Sequence, residues 1–385
     1  MESLIAREVD HMLSRRHMLG LPGPLLLVLG RKLCGGEPVT RRLDARLAHE
    51  FPNSTLRAIS PDGTKLCLED WSKPKYPLKV VEVGTWLTLM TDRFQCRVLE
   101  VAFFADSQSL LLQFPPEKGK SARGQTLWQL STGARIETMR NMPGISEGNE
   151  RDYAIAERLL LVARHGIESH RIEYLSKVSF PGYEELVRAV IPAKDGASVA
   201  SWRLWLSGDG TILAYYSDNE LVCRRVDDLK VLWKRPIAQD FRVGQLAISS
   251  DGGRIAASVV GREGREGGQS SSYISVYDGK NGTDVARLPL GEVEGMAVSP
   301  DGSLIALSGR QGGRNGEVSS TVHIRDISSG VELLSVVHDR ITRGRHQWLK
   351  AGCVATFSST SEYLITSGMT TKLWRLGSSD GQRHE

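Results

Sequence analysis

Ala297–Leu307 reads AVSPDGSLIAL, a short apolar run that meets a Ser-Pro-Asp-Gly turn and re-enters a second apolar run. Asp-Gly supplies the positive φ that a tight hairpin needs, and the flanking residues suit a pleated, half-buried surface. Related copies are AISPDGTKLCL from Ala58, AFFADSQSLLL from Ala102, WLSGDGTILAY from Trp205, AISSDGGRIAA from Ala247 and a degraded TFSSTSEYLIT from Thr356. One hairpin written six times predicts a ring of similar sheets.

The spacing sets the number of units. Asp62 to Asp106 is 44 residues, Asp209 to Asp251 is 42, Asp251 to Asp301 is 50, and Asp301 to Thr360 is 59. These are blade-sized periods stretched by insertions. The gap from Asp106 to Asp209 is 103 residues, about two periods, and AIAERLLLVA at Ala154–Ala163 in its middle reads as a copy with a shortened turn. Each unit continues with a third and a fourth run around a Gly-containing turn, as in TLWQLSTGARIETM (Thr126–Met139) and VHIRDISSGVELLSV (Val322–Val336). The expectation is an all-β, seven-bladed β-propeller of four-stranded antiparallel blades.

These residues resemble the WD-repeat family of β-propellers and the related bacterial propellers whose repeats carry a Ser-Pro-Asp-Gly turn. The resemblance spans roughly Val39 to Leu376 and speaks to fold rather than function. The Trp-Asp signature is degraded: Arg325 stands where such repeats have Trp, Gln129 follows Trp128, and Arg375 follows Trp374. No Gly-His dipeptide opens a unit, so the polar network that the family's His and Asp imply is not expected here.

The seventh unit supplies three runs, Val354–Ser358, Tyr363–Ser367 and Thr371–Leu376, before a polar tail. Its fourth strand is assigned to Thr40–Glu50, where Leu43, Ala45 and Leu47 alternate with Arg42, Asp44 and Arg46. Such closure ties first and last blades together and removes an open edge. A short amphipathic helix is the alternative for this segment, since Arg, Leu and Ala form helices well. The expected boundaries are a tail over 1–36, the propeller over 37–377 and a polar tail over 378–385.

Lys plus Arg exceed Asp plus Glu by 49 to 45, too small an excess to argue for nucleic acid, and no apolar stretch reaches membrane-spanning length. Near the N-terminus, SRRHML with Arg15 and Arg16 matches a twin-arginine export motif and precedes the apolar LGLPGPLLLVLG. It predicts a periplasmic or secreted protein, with a solvated tail on a cytoplasmic protein as the alternative. Cys34, Cys67, Cys96, Cys223 and Cys353 show no Cys-x-x-Cys pair. They read as buried small hydrophobes, with a Cys67–Cys353 bridge between the first and last units as the alternative for an exported protein.

The insertions fall on one rim. PPEKGKSARGQ (Pro115–Gln125), GREGREGGQSS (Gly261–Ser271) and GRQGGRNGEVS (Gly309–Ser319) are second–third loops, and RITRGRHQWLK (Arg340–Lys350) is an inter-blade link. They bring Lys118, Lys120, Arg123, Arg262, Arg265, Arg310, Arg314, Arg340, Arg343 and Arg345 to one face, with Trp348 as an aromatic anchor. Arg offers forked donors to carboxylates and phosphates, so the candidate role is a surface for an acidic protein or peptide partner. Soluble insertions without a partner are the alternative, since Glu263, Glu266 and Glu317 offset part of the charge.

His165 and His170 read as a hairpin loop rather than a metal pair, and His323 as a strand residue that packs or bonds between blades. Ser179–Gly196 reads as the longest link, with a short helix over Tyr183–Val190 or a plain surface excursion. No protease, hydrolase, Walker or dinucleotide motif stands out, and no cofactor is expected. The reading is a monomeric, non-catalytic interaction platform; the alternative is a propeller enzyme of lactonase or quinone-dependent dehydrogenase type working through the central channel.

Overall fold

The computed structural model describes residues 42–74, 77–92, 98, 100–104, 106–116, 123–138, 153–156, 159–165, 172–179, 185–191, 204–217, 219–261, 272–291, 293–312, 318–341, 353–368 and 370–378. These residues form an all-β propeller with four-stranded antiparallel blades. Seven such sheets are present among them. In chain order the first strands of the sheets are Ser54–Ile59, Glu100–Phe103, Tyr153–Ala156, Trp205–Leu206, Phe241–Ile248, Gly295–Val298 and Val354–Phe357. We number the sheets one to seven by these strands. First strands of successive sheets touch: one with two, three with four, four with five, five with six, and six with seven.

The reason lies in burial on both faces. In sheet five, Ile255, Ala257 and Val259 pack toward sheet four while Ala256 between them packs toward sheet six. The second strands therefore read as continuous apolar runs instead of alternating ones. Apolar clusters fill the interfaces between sheets one and two, three and four, four and five, five and six, six and seven, and seven and one.

The Ser-x-Asp-Gly turn is a small hydrogen-bonded device. Ser60, Ser207, Ser249 and Ser299 each donate Oγ–H to the Asp two residues on at 2.6 Å. The same hydroxyls accept the amides of Lys65, Ile212, Arg254 and Leu304, so the first strand is clamped to the second. Burial pushes the Asp62, Asp251 and Asp301 carboxyls up, but the Ser hydroxyls and the amides of Thr64, Gly253 and Ser303 outweigh it and hold all three below their ordinary value. The turn also reaches its neighbours. Gly63 has φ +68°, and a Cβ there would lie 2.5 Å from the Ser359 amide nitrogen of sheet seven. Ser359 Oγ donates to the Asp62 carbonyl, and the Asp62 amide donates to Ser107 Oγ of sheet two at 3.3 Å.

Leu43–Phe51 is the outer strand of sheet seven, antiparallel to Thr371–Ser378. A β-bulge between Leu47 and His49 changes which face its side chains occupy. Before the bulge, Leu43 and Ala45 pack with Trp374 and Leu376 against sheet six. After it, Phe51 joins Leu66, Leu68 and Val81 of sheet one, and His49 stacks on Trp86 at 4.9 Å and 12°. One strand thus fastens sheet seven to both neighbours. The strict alternation read from the sequence stops at the bulge, which leaves Leu47 49% exposed. Thr371 Oγ1 to the Ser54 carbonyl at 2.8 Å and the Leu56 amide to Ser367 Oγ at 2.7 Å complete the seam between sheets seven and one.

Two expectations are corrected, and the place of His323 is refined. Residues 185–190 form the outer strand of sheet three, not a helix: Leu186, Arg188 and Val190 are exposed while Val187 and Ala189 pack inward, a period of two. Cys67 and Cys353 are both free and buried, in clusters at different interfaces, so they are not bridged. His323 lies on the sheet-six face turned toward sheet five, since it pairs with Leu307, but its ring meets Glu332 of its own sheet at 3.1 Å.

Two stability predictions follow from this geometry. Gly133 has φ +67° but only Met90 Cε near its missing Cβ, at 3.5 Å. Gly133→Ala should cost about 1 kcal/mol of backbone strain, whereas Gly63→Ala, which also strikes backbone, should cost ~2–3 kcal/mol in denaturant unfolding. Deleting Met1–Glu50 should lower the thermal midpoint by many degrees, and deleting only Met1–Gly36 should leave it unchanged. Equal melting of both truncations would sink the role assigned to the outer strand.

Candidate interaction surface

Each first strand leads by a short connection into the second strand of its sheet, so links and second–third loops share one end of the sheets and the first–second turns share the other. At the loop end the hairpins run further than the sequence suggests. Gly312 still pairs with Val318, and Pro116 with Arg123. The strand over Glu332–Ile341 takes in Arg340. The segments beyond these strands fall outside the described residues, and with them Lys118, Lys120, Arg262, Arg265, Arg314, Arg343, Arg345 and Trp348 of the predicted surface. The backbones of Arg123 and Arg340 sit on strands flanking those segments.

Arg310 is the predicted residue whose side chain is described, and it has a structural task. Its Nε lies 2.6 Å from Glu294 Oε1, with both side chains about one-third exposed. Glu294 also donates its amide to the Ser308 carbonyl, so Arg310 pins the start of the first strand of sheet six. Beneath it, Gly295 leaves room for Ser308: a Cβ there would lie 2.4 Å from Ser308 Oγ. Ser308 and Ser320 act to lower the Cys353 thiol. Burial, helped by Glu294 and Asp339, nonetheless pushes that thiol up to about 12, so Cys353 is a packing group and not a nucleophile at neutral pH.

A polar chain joins sheets six and seven at this end. Trp374 Nε1 donates to Thr366 Oγ1 at 2.9 Å, and His338 Nδ1 lies 2.7 Å from the same oxygen. Thr366 Oγ1 accepts the indole N–H and still has a lone pair and a hydrogen with which to meet Nδ1. The fully buried imidazole turns its other nitrogen, Nε2, toward Asp339 Oδ2 at 3.2 Å. Lys372 Nζ closes the chain at 3.1 Å from Asp339 Oδ1. Burial raises the Asp339 carboxyl, but His338 and Lys372 outweigh that and hold it below its ordinary value. The sequence reading expected no such His network, because it looked for His in a Gly-His pair at the start of a unit. Here His338 comes from the outer strand of the preceding sheet. Trp374 eight residues after Thr366 was the available signal.

On the first strand of sheet one, a bulge turns Arg57 toward Glu69 at 3.4 Å and the Val98 carbonyl at 3.1 Å. Among the described residues no group of three or more His, Cys, Asp or Glu is arranged to hold a metal ion. No helix among them is long and apolar enough to cross a membrane.

No family model matches the chain, and no curated protein matches it. Solved structures do. A Kluyveromyces lactis Hsv2 with complete loop 6CD aligns with a TM-score of 0.53 and 13% identity, over 85% of this chain and 98% of that one. A form of the same protein with loop 6CD replaced by a Gly-Ser linker aligns with a TM-score of 0.54 at the same identity and coverage. At this identity the likeness is one of fold, that of a β-propeller.

Thr366→Val keeps the side-chain volume but strips partners from both Trp374 Nε1 and His338 Nδ1. It should destabilise the protein by about 1–3 kcal/mol in denaturant unfolding, and Thr366→Ser should restore most of the loss. Identical midpoints for Val and Thr would show that the chain carries no stability.

Proposed function

We propose that this protein is a non-catalytic interaction platform: one closed ring of seven blades whose loop-end insertions present arginines to an acidic protein or peptide. The observation that supports it is the contrast between frame and insertions. Each sheet of the frame is a regular four-stranded unit packed by apolar contacts on its neighbours. The long segments over 117–122, 262–271, 313–317 and 342–352 all leave it from the loop end. A stiff scaffold with variable loops at one end is the common arrangement for binding on repeat folds. In this reading sheets two and three also meet, which closes the ring. The ring occupies residues 37–377, with its last strand reaching Ser378, and the chain works as a monomer. Arg15 and Arg16 direct export of the folded chain to the periplasm or beyond.

Arg310 belongs to the frame, so the binding arginines are Arg262, Arg265, Arg314, Arg343 and Arg345, flanked by Arg123 and Arg340, with Trp348 as the aromatic anchor. The test is affinity capture from source-cell extract with the full chain beside a variant carrying Arg314, Arg343 and Arg345 as Glu. Arg310 is left intact to spare its pair with Glu294. A partner held by the wild type and lost by the variant, with unchanged melting, is the expected result. A partner held equally by both would move binding away from this end.

A further inference from the structure

Four exposed arginines of the described residues hold a carboxylate: Arg46 with Asp44, Arg135 with Asp92, Arg225 with Asp228 and Arg375 with Glu362. Exposed Arg287 and half-buried Arg235, which flank the interface of sheets four and five, do not. Arg235 on the outer strand of sheet four donates Nε to the Gly282 carbonyl of sheet five at 2.5 Å. Arg287 on the outer strand of sheet five lays its guanidinium over the Tyr273 ring at 3.5 Å. Among the described residues neither has an ion-pair partner. Both are nevertheless held in place, one by a backbone carbonyl and one by cation–π stacking, with donors left over.

The interface between them is aromatic, with Trp233 and Tyr277 buried and Phe241 and Tyr273 half-buried. Trp233 Nε1 donates to the Gly279 carbonyl at 2.8 Å, and its ring lies 5.8 Å from Tyr277. The Gly282 turn sits directly on the Trp233 indole, where a Cβ would be 2.6 Å from the ring. Phe241 meets Tyr273 edge-on at 5.9 Å. Arg287 is paired with Ser275, two residues before the Tyr277–Asp284 row, and the Gly282 turn lies beyond that row. The two guanidinia are therefore separated along the outer strands by on the order of 10 Å.

We propose that the outer edge of the interface between sheets four and five, with Arg235 at one end, Arg287 at the other and the half-buried Tyr273 ring beneath Arg287, is a docking site for an extended acidic peptide. Spaced arginines do not converge on one phosphate, but they match two carboxylates two or four positions apart, the spacings that put both side chains on one side of an extended chain. Asp284, exposed on the row between the two arginines, disfavours a third acidic residue at the centre. The partner motif is thus acidic, neutral, acidic. The site shares with the platform reading only the premise that the ring binds a partner, and it lies outside the loop-end arginines.

The test is fluorescence anisotropy on the full chain with a labelled nonapeptide carrying two glutamates four positions apart in a Ser/Thr/Val background, beside its glutamine counterpart. Binding of the glutamate peptide alone is expected, weakened about tenfold by Arg287→Gln or Arg235→Gln. Tyr273→Leu, which keeps both charges but removes the stacking, should weaken it less. Arg375→Gln, and the Arg314, Arg343 and Arg345 variant above, should bind as wild type, so a failure of the loop-end reading leaves this result standing. Thermal midpoints identify any variant that has lost its fold, and exposed Arg287 provides one that should not. Equal binding of both peptides, no binding, or no loss in folded Arg287→Gln would overturn the proposal. So would displacement of the peptide by inorganic phosphate at equal concentration, or arginine-dependent binding to phosphatidylserine vesicles without peptide binding, since these would assign the site to a single anion or to lipid.

Discussion

A four-stranded sheet that is apolar on both faces cannot stand in water, and that constraint governs this protein. Ala256 and its neighbours Ile255 and Ala257 face different sheets from one strand, so sheet five needs company on both sides. The same holds around the chain, because each unit is too small to bury its own apolar surface. A row of such sheets would leave two open ends, and a ring leaves none. The free energy of the fold thus resides in interfaces between sheets more than within any one of them.

Closure concentrates at the seam of sheets seven and one, and the chain reinforces it at every level. The outer strand over Leu43–Phe51 uses its bulge to serve two interfaces that a regular strand could not reach together. Thr371 and Ser367 stitch the loop end, and Ser359 and Gly63 interlock the turn end. The turn glycine is required there twice over, by its positive φ and by the approach of the next backbone.

Charge is distributed according to the same division between frame and surface. Arg310, Arg57 and Lys372 are spent inside the framework on Glu294, Glu69 and Asp339. Their partners come from other strands, so no local sequence window separates a framework arginine from a binding one. Among the described residues Arg235 and Arg287 differ in being held without a carboxylate, one by a backbone carbonyl and one by a Tyr ring.

By itself the sequence determined the unit: the period, the Ser-x-Asp-Gly hairpin, the four runs per blade and the missing strand supplied from the N-terminal side. Those features are local, since turn chemistry and period-two burial act over a few residues. Its errors fell where local signals compete. Residues 183–190 carry good helix formers, yet the neighbouring strand at Ile172–Ser179 and the sheet-four core claim Glu185–Val190 as a strand. Only the tertiary structure decided the His338–Thr366–Trp374 chain, the bulge that redirects Leu43–Phe51, and the pairing state of each arginine. Each of these joins residues brought together by the packing of one sheet against the next, and the geometry of that packing is written in no single stretch of the chain.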